Sequence, residues 1–147
     1  MYKLLLTLHL VAVIFSIGPL VHFATTAARG LRRGDAFETK AASRSAKLYS
    51  LVSLLAVVFG FGLVSAKSPY TGKPVASMSD LWVLASLALW VVAVAIVIAV
   101  IVPCLDKATV MIGKGASPSA LTGRVAAAGG VVALLFIAVV ALMVYQP

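Results

Sequence analysis

The chain has 147 residues, of which 63% are hydrophobic and 11% charged. A soluble domain carries about a quarter charged residues, so this chain has too little polar material to coat a core in water and reads as a membrane protein. Its net charge of +8 comes with no basic stripe interleaved with aromatics, which argues against nucleic-acid binding. Its single cysteine, Cys104, excludes an intrachain disulfide and a cysteine-based metal cage.

A helix that crosses a bilayer needs ~20 mostly apolar residues. The first such stretch covers residues 4–28 and carries no formal charge. A cleavable signal peptide competes for it, with "ATTAA" after His22 as the cleavage site. Its apolar centre is longer than the roughly 7–15 residues of such a peptide, so a retained helix is expected. Gly18-Pro19 predicts a kink. The loop that follows is basic, and "DAFE" at residues 35–38 has the form of a capping box. Asp35 would accept from the amide of Glu38 while Glu38 reaches back to Asp35. The second helix should therefore start near Ala36, ahead of its apolar span at residues 48–66. "GFG", with Gly60 and Gly62, gives that helix a face that another backbone can approach closely.

The connection "SPYTGKPVASMSD" is polar and ends in a second box-like motif, "SMSD" at residues 77–80. The third span covers residues 81–102, nearly all Leu, Val, Ile and Ala, and Pro103 should kink or end it. Trp90 lies deep in this span, where its indole N–H needs a partner within the bundle. Cys104 reads as a small packing residue. "GKGAS" at residues 113–117 lacks the spacing of a phosphate loop and reads as a turn. Ser117-Pro118 reads as an N-cap with proline at the first helical position. The fourth span covers residues 125–144. Its Gly123/Ala127 and Ala126/Gly130 are small-xxx-small pairs suited to helix packing. No internal repeat is apparent.

The expected fold is all-α: one polytopic domain, residues 1–147, folded as a four-transmembrane-helix bundle. Arg29, Arg32, Arg33, Lys40, Arg44, Lys47, Lys107, Lys114 and Arg124 fall on one side, against Lys3, Lys67 and Lys73 on the other. By the positive-inside rule the basic loops are cytoplasmic and both termini extracytoplasmic, in a multi-pass protein of the cell membrane. Tyr2, Tyr70, Trp82 and Tyr145 then lie near the outer interface and Tyr49 near the inner one, as aromatic belts do.

No acid lies within a span, so paired-carboxylate chemistry and a carboxylate proton relay are not expected. The two histidines, His9 and His22, are the intramembrane ionisable groups. Thirteen residues rise ~20 Å and rotate about 220° on a straight helix, so the two rings cannot share one metal or one haem. His9 shares its stripe with Ala12, Ser16 and Phe23, and faces the bundle. Its bland reading is a neutral ring bonded to a neighbouring backbone or serine. As a ligand of haem iron or copper, it would draw its partner from Met143, Met78 or the His9 of a second chain. His22 shares its face with Gly18, Thr25, Thr26 and Arg29, and reads as an interfacial residue that snorkels to the headgroups.

The stretches "YKLLLTLHLVAVIFSIGPL" (residues 2–20), "RRGDAFE" (32–38) and Leu81-Trp82 resemble the integral membrane proteins grouped as domain of unknown function 2269. The resemblance covers most of the chain. It implies the four-helix membrane fold and carries no activity with it. The first helix is also distantly similar to those of copper-resistance D-type proteins and small membrane protoporphyrinogen oxidases. That similarity implies haem binding at His9. The reading that follows is a non-catalytic binding, assembly or scaffold protein of the bilayer, acting as a homo-oligomer or within a larger membrane complex. The alternatives are a redox protein carrying haem b or copper at His9, and a small-molecule transporter component.

Overall fold

A computed structural model describes residues 1–69, 72 and 74–146. The expectations placed on Tyr70 and Lys73 lie outside the described residues. Four helices long and apolar enough to cross a membrane make up the fold: α1 (Tyr2–Arg33), α2 (Ala36–Val64), α3 (Leu81–Gly113) and α4 (Ser119–Tyr145). Helices α1, α3 and α4 contain the apolar span predicted for each and run past it, whereas α2 starts well ahead of its predicted span and stops at Val64, short of residue 66. No strand occurs among the described residues; the 65–80 connection contributes one isolated bridge, Lys67 to Pro74.

The helix ends follow from local chemistry. Helix α1 stops at Gly34, whose φ of 65° puts it in the left-handed region. The amide of Asp35 then bonds back to the carbonyl of Gly30, satisfying an orphan helix-end acceptor. Helix α3 ends with the same device: Gly115 has φ +75°, and the amide of Ala116 bonds to the carbonyl of Met111. The expected capping box at Asp35 is half formed. Asp35 Oδ1 accepts from the Glu38 amide at 2.9 Å, but the Asp35 amide is already committed to Gly30. Glu38 instead pairs with Arg33, at 3.2 Å. Asp80 caps α3 without a side-chain bond into the helix, and its carboxylate accepts from the Ser77 amide at 2.7 Å. Pro118, not Ser117, is the N-cap of α4.

Neither proline ends its helix. The expectation that Pro103 ends α3 is corrected, since the helix runs on to Gly113. A proline has no N–H to give and its ring crowds the carbonyl four residues back. In both helices a single wide π-helical turn lies just ahead of it: Val13–Ile17 before Pro19, and Val97–Ile101 before Pro103. Such a turn opens the backbone where the ring must fit. Ser16, fully buried within the first of these turns, donates its hydroxyl to the carbonyl of Ala12.

These matching turns disclose an internal repeat that is not apparent in the sequence. Residues 17–25 and 101–109 share I-x-P-x-x-x-x-A-T. Thr25 and Thr109 bond the carbonyls of Val21 and Leu105, each at 2.8 Å, and Ala24 and Ala108 are both fully buried. The helices that follow start within one residue of the same register. Their N-caps are Asp35 and Pro118, and Thr39 and Thr122 bond back to the carbonyls of those two residues. The chain is a helical hairpin repeated once. The second half of α1 packs on α4, and the second half of α3 packs on α2, giving the bundle a quasi-twofold character. Parallel repeats of this kind are a common construction in membrane proteins.

The core lies towards the basic end, where Leu20, Ala24, Ile101, Leu105, Ala108 and Val125 are fully buried. Its tightest point is Gly129 of α4. A Cβ there would intrude on the carbonyl oxygen of Ala24 in α1 and crowd the neighbouring backbone. The small-residue contact expected on α4 therefore falls at a different position. A Cβ added at Gly123 or Gly130 would meet nothing within 4 Å, and Ala126 is only partly buried against the core. Gly129→Leu should destabilise the protein by about 2 kcal/mol or more, as overpacking against unyielding backbone does. Gly130→Ala should stay within about 0.5 kcal/mol of the parent. Unfolding titrations in mixed micelles measure both, and equal effects at the two positions would contradict the crossing described here.

Candidate functional site

His9 is buried, at 9% exposure, in the half of α1 that packs on α2. Its Nδ1 lies 2.8 Å from the carbonyl oxygen of Ala56. A carbonyl only accepts, so Nδ1 carries the proton in this bond, and the tautomer that makes it has its lone pair on Nε2. Gly60, one helical turn from Ala56, provides the space. A Cβ at Gly60 would stand 3.3 Å from His9 Cε1 and 3.5 Å from Nδ1. Gly62 provides similar space for Leu5. The glycine pair of α2 is therefore where the N-terminal half of α1 beds down.

The other named residues scatter. Met143, on α4, and Met78, ahead of α3, are both exposed, at 38% and 46%. The polar contact that His9 makes is with the backbone of α2. His22 is exposed and stands edge-on to Phe23, with ring centroids 5.4 Å apart; Phe23 in turn stacks on Tyr49 at 5.7 Å. The two histidines thus sit in unlike surroundings, as their helical rotation predicts. Trp90 finds the partner it needs: its indole N–H donates to Ser53 Oγ at 3.2 Å, and Ser53 donates to the Ser50 carbonyl at 2.7 Å. Cys104 is buried beside Pro103, in keeping with a packing role. Among the described residues, no three His, Cys, Asp or Glu side chains gather as a metal-binding set.

Two polar features at the basic end have no counterpart in the sequence expectations. Asp106 of α3 joins α2 at two points: it accepts from the buried hydroxyl of Ser43, and from Lys47 Nζ at 2.8 Å. The lysine and aspartate are each half exposed, so the ion pair itself is worth at most about 1 kcal/mol, and its role is to set register between two helices. The signal was present in the sequence as a lone acid after Pro103, but its partners lie some sixty residues away. The second feature is a groove of about 220 Å³ between the basic ends of α1 and α2, lined by His22, Phe23, Thr26, Arg29, Glu38 and Ala42 among others.

No protein-family model, curated protein or solved structure matches this chain.

The pairing of His9 with Gly60 is directly testable. Gly60→Val should cost about 1–3 kcal/mol by forcing the imidazole out of its seat. In a His9→Ala background the same change should cost less, with a coupling of about 1 kcal/mol between the two sites. A double-mutant cycle measured by micellar unfolding reads that coupling, and strict additivity would show that the two residues do not share the space.

Proposed function

We propose that this small integral membrane protein has a non-catalytic binding, assembly or scaffold role, exerted through its helix faces. The observation that carries this reading is how its surface is divided. Only 17%, 17%, 28% and 22% of the apolar windows of α1 to α4 are buried inside the chain, so most of each span faces outward, towards lipid or other membrane-embedded chains. Several polar groups within the bundle are meanwhile used in holding it together: His9 on Ala56, Trp90 on Ser53, and Asp106 on Ser43 and Lys47. Packing without a hydrophobic drive between helices favours further helix association once faces fit.

A haem- or copper-linked role for His9 is the second reading, and one observation favours it. A ring whose Nδ1–H is held by a carbonyl presents Nε2 as its lone-pair nitrogen, the arrangement that orients metal-ligating histidines. Transport draws less support. Ser53 is fully buried at mid-span under the Trp90 indole, and Ala128 packs against the core. Solubilised gently from its native membrane under haem-replete conditions, the protein should migrate as an assembly larger than its own 15.2 kDa chain plus detergent, and should be colourless. Strictly monomeric behaviour across mild detergents would sink the assembly reading. A Soret band lost in His9→Ala would establish the second.

The charge asymmetry supports a cell-membrane orientation with the basic end cytoplasmic. In a Cys104→Ser background, Gln146→Cys should react with a membrane-impermeant thiol reagent in intact cells, whereas Gly115→Cys should react only after permeabilisation. The reverse pattern would invert the topology.

A further inference from the structure

We propose that the groove between the basic ends of α1 and α2 binds the headgroup of a phospholipid that carries both a phosphodiester and a primary ammonium, such as phosphatidylethanolamine. The site presupposes only that the protein lies in a bilayer, and it goes beyond the assembly role. His22 and Arg29 both line the groove and are separated by ~10 Å along the helix. The headgroup zone is roughly 5–8 Å deep in each leaflet, so this wall reaches from the edge of the hydrocarbon out through the headgroups.

The chemistry of the lining is mixed in sign. Arg29 is exposed, and its planar fork suits a phosphate. On the other wall stands Glu38. Its Oε1 pairs with Arg33, while its Oε2 is enclosed and has no hydrogen-bond partner. An anionic oxygen withdrawn from water without a donor is costly. The terminal torsion of a glutamate is soft, so Oε2 can turn to meet an N–H donor arriving in the groove. The Thr26 hydroxyl proton is committed to the His22 carbonyl at 2.7 Å, which leaves its oxygen as a second acceptor. The aromatic stack of Phe23 on Tyr49 adjoins the groove at its Phe23 wall, where the apolar part of a lipid would lie.

Arg29 and Glu38 line a single groove, a pairing that matches a zwitterion. A purely anionic headgroup brings no ammonium to Glu38, whose other oxygen Arg33 already holds. A trimethylammonium headgroup has no N–H to offer Oε2. The incomplete capping box is what makes this carboxylate available. Because the Asp35 amide goes to Gly30, Glu38 does not fold back onto its own helix end.

Native mass spectrometry of the full chain in detergent, with phosphatidylethanolamine, phosphatidylcholine and phosphatidylglycerol of identical acyl chains, tests the site. The ethanolamine lipid should be retained roughly tenfold over the other two, the effect of one charge-assisted hydrogen bond. Glu38→Gln should bring ethanolamine and glycerol lipids within about twofold of each other. Arg29→Gln should weaken all three together. Equal retention of the choline lipid, or an ethanolamine preference that survives Glu38→Gln, would overturn the proposal. Displacement of the lipid by an equal concentration of soluble phosphoethanolamine would overturn the lipid assignment. If Glu38→Gln fails to fold, Arg29→Gln decides alone: its side chain is exposed, and unchanged retention in it refutes the site.

Discussion

Inside a bilayer a backbone carbonyl or a side-chain donor has no water to fall back on, and apolar side chains gain nothing by leaving lipid for one another. The main features of this bundle answer to that pair of constraints. Proline is tolerated in mid-helix because a wide turn beside it makes room for the ring. Deep polar side chains reach for the nearest backbone or hydroxyl: Ser16 for Ala12, His9 for Ala56, Trp90 for Ser53. Helices meet where side chains are smallest, and the α1–α4 crossing at Ala24 and Gly129 is the extreme case.

The repeated hairpin explains how such packing is arranged economically in a short chain. Each copy supplies a proline-bearing helix that crosses onto the other copy. The two copies differ where polar chemistry appears. A shift of 84 residues in the odd helices and 83 in the even ones sets His9 against Ala93 and Gly60 against Met143. The same shifts set His22 against Asp106, and Ser43 and Lys47 against Ala126 and Gly130. The histidine–glycine seat belongs to the first hairpin alone. The acid that ties α2 to α3 belongs to the second alone, and its counterpart His22 is left to line the groove. Met143, a sequence candidate for partner of His9, holds in its own hairpin the place that Gly60 holds beside the imidazole.

At the basic end the arrangement is electrostatic as well as steric. Arginines and lysines on α1 and α2 crowd one interface, and the few acids there are placed singly. Asp106 is taken by Ser43 and Lys47. Asp35 is taken by the amide of Glu38. Glu38 is half taken, by Arg33. Among the described residues, Glu38 Oε2 is the carboxylate oxygen that is both enclosed and without a partner, and its residue lines a groove, which is why that groove invites a ligand.

The sequence alone determined what depends on composition and on neighbours along the chain. Four long apolar runs require four spanning helices, since lipid leaves the backbone no other economical choice, and Asp35 caps α2 where its spacing says it should. The rotation of a helix separates His9 from His22 without any knowledge of the fold. Only the tertiary structure decided which small residue makes the close contact, because Gly129 and Gly130 are neighbours that differ by about 100° of rotation. It decided the fate of Pro103, because a π turn is a backbone adjustment with no residue signature of its own. It decided the partners of His9 and Asp106, which lie 47 and some 60 residues away. The repeat stayed hidden for a related reason. Only four of nine residues agree between its clearest segments, since in lipid many apolar side chains fill the same place equally well, and what persists is the geometry of proline, cap and crossing.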